Sequence, residues 1–277
     1  MTETRYRLAG VLGSPIAQSK SPKLHRHWLR TYGISGDYVA LPVEREDFAT
    51  VVRTLPKMGF AGCNVTIPHK VAALELADQV TDRATLIGAA NTLIFRPDGK
   101  IHADNTDGYG FISNLHQMAP DWSPTSGPAA VLGAGGAARA IIVSLLDAGT
   151  PEILLSNRTK VNAENLRAVF GSRITVVDWV HAGAMLAEAA TVVNTTSMGM
   201  TGGPEFRLNL DHLRPQSLVT DLVYNPLETP ILAAAAQIGC TTVDGLGMLL
   251  HQAVPGFERW FGQKPVVDAA ARAAVLA

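Results

Sequence analysis

The sequence predicts an α/β protein of two domains, the second a doubly wound parallel sheet. Three observations carry that expectation. Short apolar runs alternate with helical patterns through the first hundred residues. From Pro128 to Arg139 an apolar strand enters a glycine turn and leaves as an alanine-rich helix. Beyond it, further strand-like runs at Glu152–Ser156, Ile174–Val177, Thr191–Thr195, Leu218–Val223 and Thr241–Val243 have helical patterns between several of them. The 277 residues suffice for one large domain or two ordinary ones, and 47% hydrophobic residues can fill a sizeable core.

Leu8 to Leu12 reads as a buried strand broken by Gly13-Ser14-Pro15, and a helix follows from about Lys23 to Tyr32. Ser21 before Pro22 looks like an N-cap with a first-turn proline. Tyr38–Val43 is the next strand, Glu46–Leu55 a helix, Phe60–Ile67 a third strand closed by Pro68, and Lys70–Ala77 a helix. Ala90–Phe95 and Lys100–Ala103 flank Arg96-Pro97-Asp98-Gly99, a hairpin turn. Asn105-Thr106-Asp107-Gly108 opens a helix to about Met118, and the Pro-, Ser-, Thr- and Gly-rich stretch to Pro128 is a connecting loop. The helix Ala137–Ala148 ends at Gly149, a C-cap, and a helical tail runs from about Met248 to the end.

Gly133, Gly135 and Ala138 fit the G-x-G-x-x-G/A dinucleotide pattern. Gly133 permits the sharp turn, Gly135 lets a pyrophosphate approach the backbone, and Ala138 lets the helix pack close to the strand. With Ala134, Gly136 and Ala137 they form the candidate cofactor turn, where free N–H groups meet the anion. A glycine turn alone is weak, but the flanking strand and helix favour a nucleotide site. In this fold a carboxylate after the second strand bonds the ribose 2′-hydroxyl and selects NAD. Here Asn157-Arg158-Thr159-Lys160 stands instead, and a guanidinium suits a 2′-phosphate. The expected cofactor is NADP(H), with a solvated surface pair as the competing reading of Arg158 and Lys160.

A formal net charge of -1 gives no sign of a nucleic-acid or membrane-surface partner. No apolar run approaches bilayer length, and the start of the chain lacks a signal-peptide core. Cys63 and Cys240 lack metal-type spacing and read as buried free thiols of a cytoplasmic protein, with a disulfide the alternative. The eight histidines form no zinc motif, so no metal is expected. Monomer and homodimer both stay open.

The first half carries Gly62-Cys63-Asn64-Val65-Thr66-Ile67-Pro68-His69-Lys70, Gly88-Ala89-Ala90-Asn91-Thr92 and Asn105-Thr106-Asp107-Gly108. Ser19-Lys20-Ser21-Pro22 precedes them, and Asp244-Gly245-Leu246-Gly247-Met248 follows near the end. In these motifs and their order, over nearly its whole length, the chain closely resembles shikimate dehydrogenases. The resemblance implies an N-terminal α/β substrate domain and a Rossmann-type NADP-binding domain, with the active site in the cleft between them. The substrate domain would be discontinuous, 1–107 plus 244–277, and the cofactor domain would be 108–243.

Reducing a ketone needs a hydride donor and a proton donor for the growing alkoxide. Lys70, at the start of a helix, is a candidate proton donor and Asp107 its partner, although an exposed lysine and an N-cap are the ordinary readings of such residues. The resemblance implies that they form the catalytic pair. It also implies that Ser19 and Ser21 bind the substrate carboxylate with Tyr224, that Asn64, Thr66, Asn91 and Gln252 read ring hydroxyls, and that Asp82, Leu222 and Gly245 lie near the nicotinamide. Capping, loop hydrogen bonds or plain surface are the competing readings of each polar residue taken singly. The implied reaction is NADPH-dependent, reversible reduction of 3-dehydroshikimate to shikimate, a step of aromatic amino-acid biosynthesis.

The alternatives are a quinate or dual quinate/shikimate dehydrogenase, and a non-catalytic NADP-sensing protein on the same scaffold. Relatives acting on quinate often have Thr or Gly near the second serine and an acidic residue after the second strand; Ser21 and Asn157-Arg158 differ from that. Three positions depart from many relatives. Asn162 stands where an arginine is frequent, with Lys160 as the possible compensation; His69 stands at an often aromatic place, expected simply to face solvent; and Arg26 follows His25 where Asn is common.

Overall fold

A computed structural model describes residues 6–277. The chain forms two compact units, Met1–Asp107 with Leu249–Ala277, and Gly108–Met248. The first opens with β1 (Arg7–Gly13), α1 (Ser21–Thr31), β2 (Gly36–Pro42), α2 (Phe48–Thr54), β3 (Phe60–Val65) and α3 (Lys70–Leu76). It continues with β4 (Gln79–Val80), α4 (Asp82–Ile87), β5 (Thr92–Phe95) and β6 (Ile101–Asp104). The sheet order is β2-β1-β3-β5-β6-β4. β1 runs parallel to β2 and β3, and β5 runs antiparallel to β3 and β6. The β5–β6 turn is the expected hairpin, with Gly99 at φ 83.

Several local expectations change. Ser21 is the first residue of α1, not its N-cap; Lys20 holds that position without a side-chain cap bond. The Ser21 hydroxyl is therefore not engaged in capping. The second helix starts at Phe48 and tightens into a 3₁₀ turn, Leu55–Met58, closed by Gly59 at φ 88. Pro56 in that turn has no N–H with which to continue an α-helix. β4 and α4 are too short to leave a periodic signal.

The second unit begins with α5 (Asp107–Met118), whose first residue closes the first unit. It continues with β7 (Ala129–Leu132), α6 (Gly136–Asp147), β8 (Ile153–Ser156), α7 (Lys160–Phe170) and β9 (Ile174–Val177). β10 (Thr191–Asn194), β11 (Leu218–Asp221), α8 (Pro230–Ile238) and β12 (Thr241–Val243) complete it. The order β12-β11-β10-β7-β8-β9 is parallel throughout, so the chain winds outward from β7 and then returns to place β10 beside it. That is the expected doubly wound sheet. Every residue of β7 is buried, because apolar clusters cover both faces: Phe111, Ile141 and Leu145 on one, Leu186, Ile231 and Leu232 on the other.

The tail is two helices rather than one. α9 (Leu246–Phe261) stops at Gly262, whose φ of 78 is left-handed, and α10 (Ala269–Leu276) restarts under Asp268, which accepts from Ala271 N at 2.8 Å. Trp260 on α9 donates to Leu93 O at 3.0 Å, which seats this helix on the first unit's sheet. Cys63 and Cys240 are free and buried, and burial pushes both thiols up. Among the described residues no helix is long and apolar enough to cross a membrane, and no cluster of metal-ligating side chains occurs.

Asp104, at the end of β6, is fully buried. It accepts from Thr81 Oγ1 at 2.8 Å, Arg83 Nη2 at 3.2 Å and Arg259 Nη1 at 2.9 Å. Burial alone pushes its carboxyl up, but these donors outweigh burial and hold it below the usual value. Its stabilising contribution is thus present above the unfolded-state pKa of about 3.9 and disappears as pH falls through the lower folded value. Asp104→Asn is expected to cost about 1–3 kcal/mol at neutral pH and to flatten the acid limb of the stability curve, read by denaturant melts between about pH 7 and pH 3.

Candidate active site

The first unit gathers four of the expected residues into one network. Lys70 opens α3, and its carbonyl accepts from Ala90 N at 2.8 Å, tying that helix start to the segment before Asn91. Asp107 opens α5, with its N–H on Asn105 Oδ1 at 3.0 Å, while Asn105 Nδ2 reaches Ala89 O at 2.9 Å. The two helix starts therefore converge. Lys70 Nζ lies 2.6 Å from Asp107 Oδ2, and Asn91 Nδ2 donates to Asp107 Oδ1 at 2.7 Å.

The Asp107 side chain is only 7% exposed, against 30% for Lys70. Both carboxylate oxygens have a donor, as a nearly buried anion requires. An ammonium has three donors. Asp107 takes one, so the partly open Lys70 can reach a second oxygen and pass it a proton.

Asn91 is itself fixed. Its Oδ1 accepts from Thr106 N at 2.9 Å, Thr106 Oγ1 at 3.1 Å and Thr92 Oγ1 at 2.9 Å. Asn64 Nδ2 donates to Asn91 O and Thr92 Oγ1, both at 3.1 Å, and its Oδ1 accepts from Tyr38 Oη at 2.7 Å. Behind Tyr38 stacks the fully buried His25, with ring centroids 3.8 Å apart. Burial lowers that imidazole to about 3, so it packs as a neutral ring. Thr92, Thr106 and Tyr38 escape sequence reasoning because each reveals its role only through its partner.

Thr66 is half-buried and pairs through its backbone with Leu12 O at 2.9 Å. A Cβ on Gly13 would meet Thr66 Cγ2 at 2.5 Å, so only glycine lets the end of β1 pass this close to Thr66. Ser19 and Ser21 are half-buried neighbours, with Ser21 N on Ser19 Oγ at 3.4 Å. Gln252 is half-buried on α9, and Asp82 is exposed in the first turn of α4. None of these five side chains joins the Lys70–Asp107 network through a described hydrogen bond.

In the second unit Gly133 leaves β7 at φ 104, and a Cβ there would meet Thr195 Oγ1 at 2.7 Å and Thr196 Cγ2 at 2.8 Å. A Cβ on Gly135 or Gly136 meets nothing within 4 Å, so open space lies over the start of α6. The first N–H groups of a helix have no partner within it, and Ala137 is exposed beside them. That arrangement fits a pyrophosphate. The N–H of Ala134 instead donates to Asn157 Oδ1 at 3.1 Å, while Asn157 Nδ2 reaches Thr159 O at 2.7 Å.

Arg158 and Thr159 line a hollow of about 440 Å³ with Asn157, Trp179, Thr196 and Arg207. Lys160 is absent from that lining, and its ammonium pairs with Asp178 Oδ1 at 2.8 Å. Asp221, fully buried at the end of β11, accepts from Asn194 Nδ2, Val223 N and Thr229 Oγ1. Burial nonetheless raises its carboxyl. This anchor sets the course of Leu222, Val223 and Tyr224. Burial also raises the half-buried Tyr224 phenol. A Cβ on Gly245 would meet Leu222 O at 2.5 Å, so Gly245 and Leu222 are backbone neighbours.

Residues 11–93 match the model of the shikimate dehydrogenase substrate binding domain, and residues 245–275 match that of the shikimate 5'-dehydrogenase C-terminal domain. A shikimate dehydrogenase (NADP(+)) from Ruegeria sp. is 64% identical over 276 residues, covering 100% of both chains. The chain belongs to the shikimate dehydrogenase family. The shikimate 5-dehydrogenase of Thermus thermophilus, solved with NADP(H) and shikimate, superposes with a TM-score of 0.86 at 35% identity, covering 98% of this chain and 100% of that one. The quinate dehydrogenase of Corynebacterium glutamicum, solved with NAD, gives 0.91 at 30% identity over 98% and 99%. One fold therefore carries both names, and side chains must decide between them.

One expected departure from the family pattern is corrected. His69 does not face solvent: it is 1% exposed, stacks on Phe48 with centroids 4.5 Å apart, and pairs with Val43 O at 2.7 Å. It packs as the aromatic ring common at that place, with a polar edge satisfied by backbone.

Proposed function

We propose that the protein catalyses the reversible, NADPH-dependent reduction of 3-dehydroshikimate to shikimate. The observation that carries this reading is the Lys70–Asp107 pair, held by Asn91 within a family whose curated members act on shikimate with NADP(+). Bound NADPH supplies the hydride. Lys70 Nζ gives the proton to the forming alkoxide and recovers it in the oxidative direction; Asp107 holds the ammonium in place.

The unit that contains residues 1–107 and the C-terminal helices takes the substrate. Ser19 and Ser21 meet its carboxylate with Tyr224, while Asn64, Thr66, Asn91 and Gln252 read its hydroxyls. Ser21 is free for this because it is not a cap. The second unit takes the cofactor: Gly133, Gly135, Gly136 and Ala137 admit the pyrophosphate, and Asn157 and Thr159 frame the ribose. Ala134 serves through Asn157 rather than by a free N–H. Asp82, Leu222 and Gly245 serve the nicotinamide end. Arg158, in the 440 Å³ hollow, takes the 2′-phosphate. Lys160 is turned to Asp178 and contributes at most at long range.

The test is NADPH absorbance with shikimate or quinate and either cofactor. Shikimate with NADP should be the preferred pair. Arg158→Ala should lower kcat/KM for NADP roughly 10- to 100-fold and leave that for NAD nearly unchanged, as expected for losing a charged hydrogen bond. Preferred turnover of quinate with NAD would transfer the protein to the other branch of the fold. Absence of turnover with either substrate would favour a non-catalytic role.

A further inference from the structure

The 2′-phosphate of NADP carries close to two negative charges, which one guanidinium does not balance. In the neighbouring sequence neither Lys160 nor Asn162 brings a second cation to the hollow. Lys160 pairs with Asp178 and does not line the hollow. Asn162 lines the hollow, but its side chain is a neutral carboxamide. The same hollow holds one more cation, Arg207, from the segment after β10. Arg207 donates to Glu205 Oε2 from Nε at 2.9 Å, and Nη2 lies 2.7 Å from the same oxygen. A guanidinium has five donors, so this contact leaves an unused edge. Arg207 is 80% exposed and free to turn that edge toward a ligand.

We propose that Arg207 is the second cation for the 2′-phosphate, working with Arg158 and standing in for the basic residue that position 162 lacks. The inference rests on reading Arg158 as the first partner of that phosphate. Glu205 lines the same hollow and would repel the phosphate if left alone. Arg207 therefore has two separable effects: it neutralises Glu205, and it donates directly to the ligand.

Calorimetric titration of the full chain with adenosine 2′,5′-bisphosphate and with adenosine 5′-monophosphate separates them. Arg207→Ala should weaken the bisphosphate roughly tenfold and the monophosphate less than about twofold, because only the former presents the extra phosphate. Glu205→Gln with Arg207→Ala should stay at least about fivefold weaker for the bisphosphate than Glu205→Gln alone. Equal weakening of both ligands, or a double variant as tight as Glu205→Gln alone, overturns direct donation. Arg158→Ala reports the underlying reading: a bisphosphate bound as tightly as before would remove that reading, and the role of a second cation with it. These side chains are exposed, so each variant should keep the wild-type melting temperature.

Discussion

Lys70→Ala is expected to lower kcat by about 10²- to 10⁴-fold, the range for loss of a positioned proton donor. Shikimate affinity should fall far less, since the partners proposed for the substrate's hydroxyls and carboxylate are untouched. The physical reason lies in the local geometry. Lys70 is the first residue of its helix, and the Ala90 N–H to Lys70 O bond fixes where that helix begins. Asp107 Oδ2 accepts one hydrogen bond from the ammonium at 2.6 Å, and Asn91 stops the carboxylate from turning away. Alanine removes the proton but none of the backbone ties, so the fold should survive. Lys70→Met is the companion variant, because it keeps the apolar stem and removes only the charge. Steady-state kinetics in both directions, with shikimate binding measured separately, decide the matter. A kcat within about threefold of wild type would remove Lys70 from the chemistry.

The sequence exposed those features whose physics is local. The glycine turn between β7 and α6 is written in consecutive residues, and the strands of the second unit are apolar runs because both faces are covered. Lys70 and Asp107 were legible as residues at helix starts, and the motif order linked them. Features that depend on distant partners were not legible. His69 looks like a loop polar residue until Phe48 stacks on it. Asn157 reads as a ligand contact alone, and only the structure shows that its carboxamide also holds the turn at Ala134. Lys160 reads as a cofactor cation until Asp178, eighteen positions on, claims it. Arg207 sits in an irregular segment with no motif around it, and only the hollow it shares with Arg158 singles it out. The break at Gly262 was readable from its Gly-Gln-Lys-Pro sequence, yet the apolar pattern on either side masked it.

Gly62→Ala should be the most damaging single-methyl change in the first unit. Gly62 lies in β3 between Ala9 of β1 and Ile94 of β5. A Cβ there would run into the Trp260 indole nitrogen and the Leu93 carbonyl, the two groups joined by the 3.0 Å bond that seats α9. Trp260 is 1% exposed and has nowhere to retreat. Overpacking costs about 1–3 kcal/mol. An orphaned buried N–H and carbonyl cost about 1–3 kcal/mol more. A total of roughly 2–6 kcal/mol corresponds to a loss of about 7–20 °C in the first unit's melting transition. The same shift would tilt Asn64, two residues along the strand, away from Tyr38 and Asn91, so activity should fall as well. The second unit supplies an internal control. Its glycine turn and hollow share no residue with this contact, so affinity for adenosine 2′,5′-bisphosphate should persist at temperatures where activity is gone. Calorimetry of the variant with and without that ligand resolves the two transitions. A Gly62→Ala protein that melts within about 2 °C of wild type would show that the indole can move without cost, and that α9 is held elsewhere.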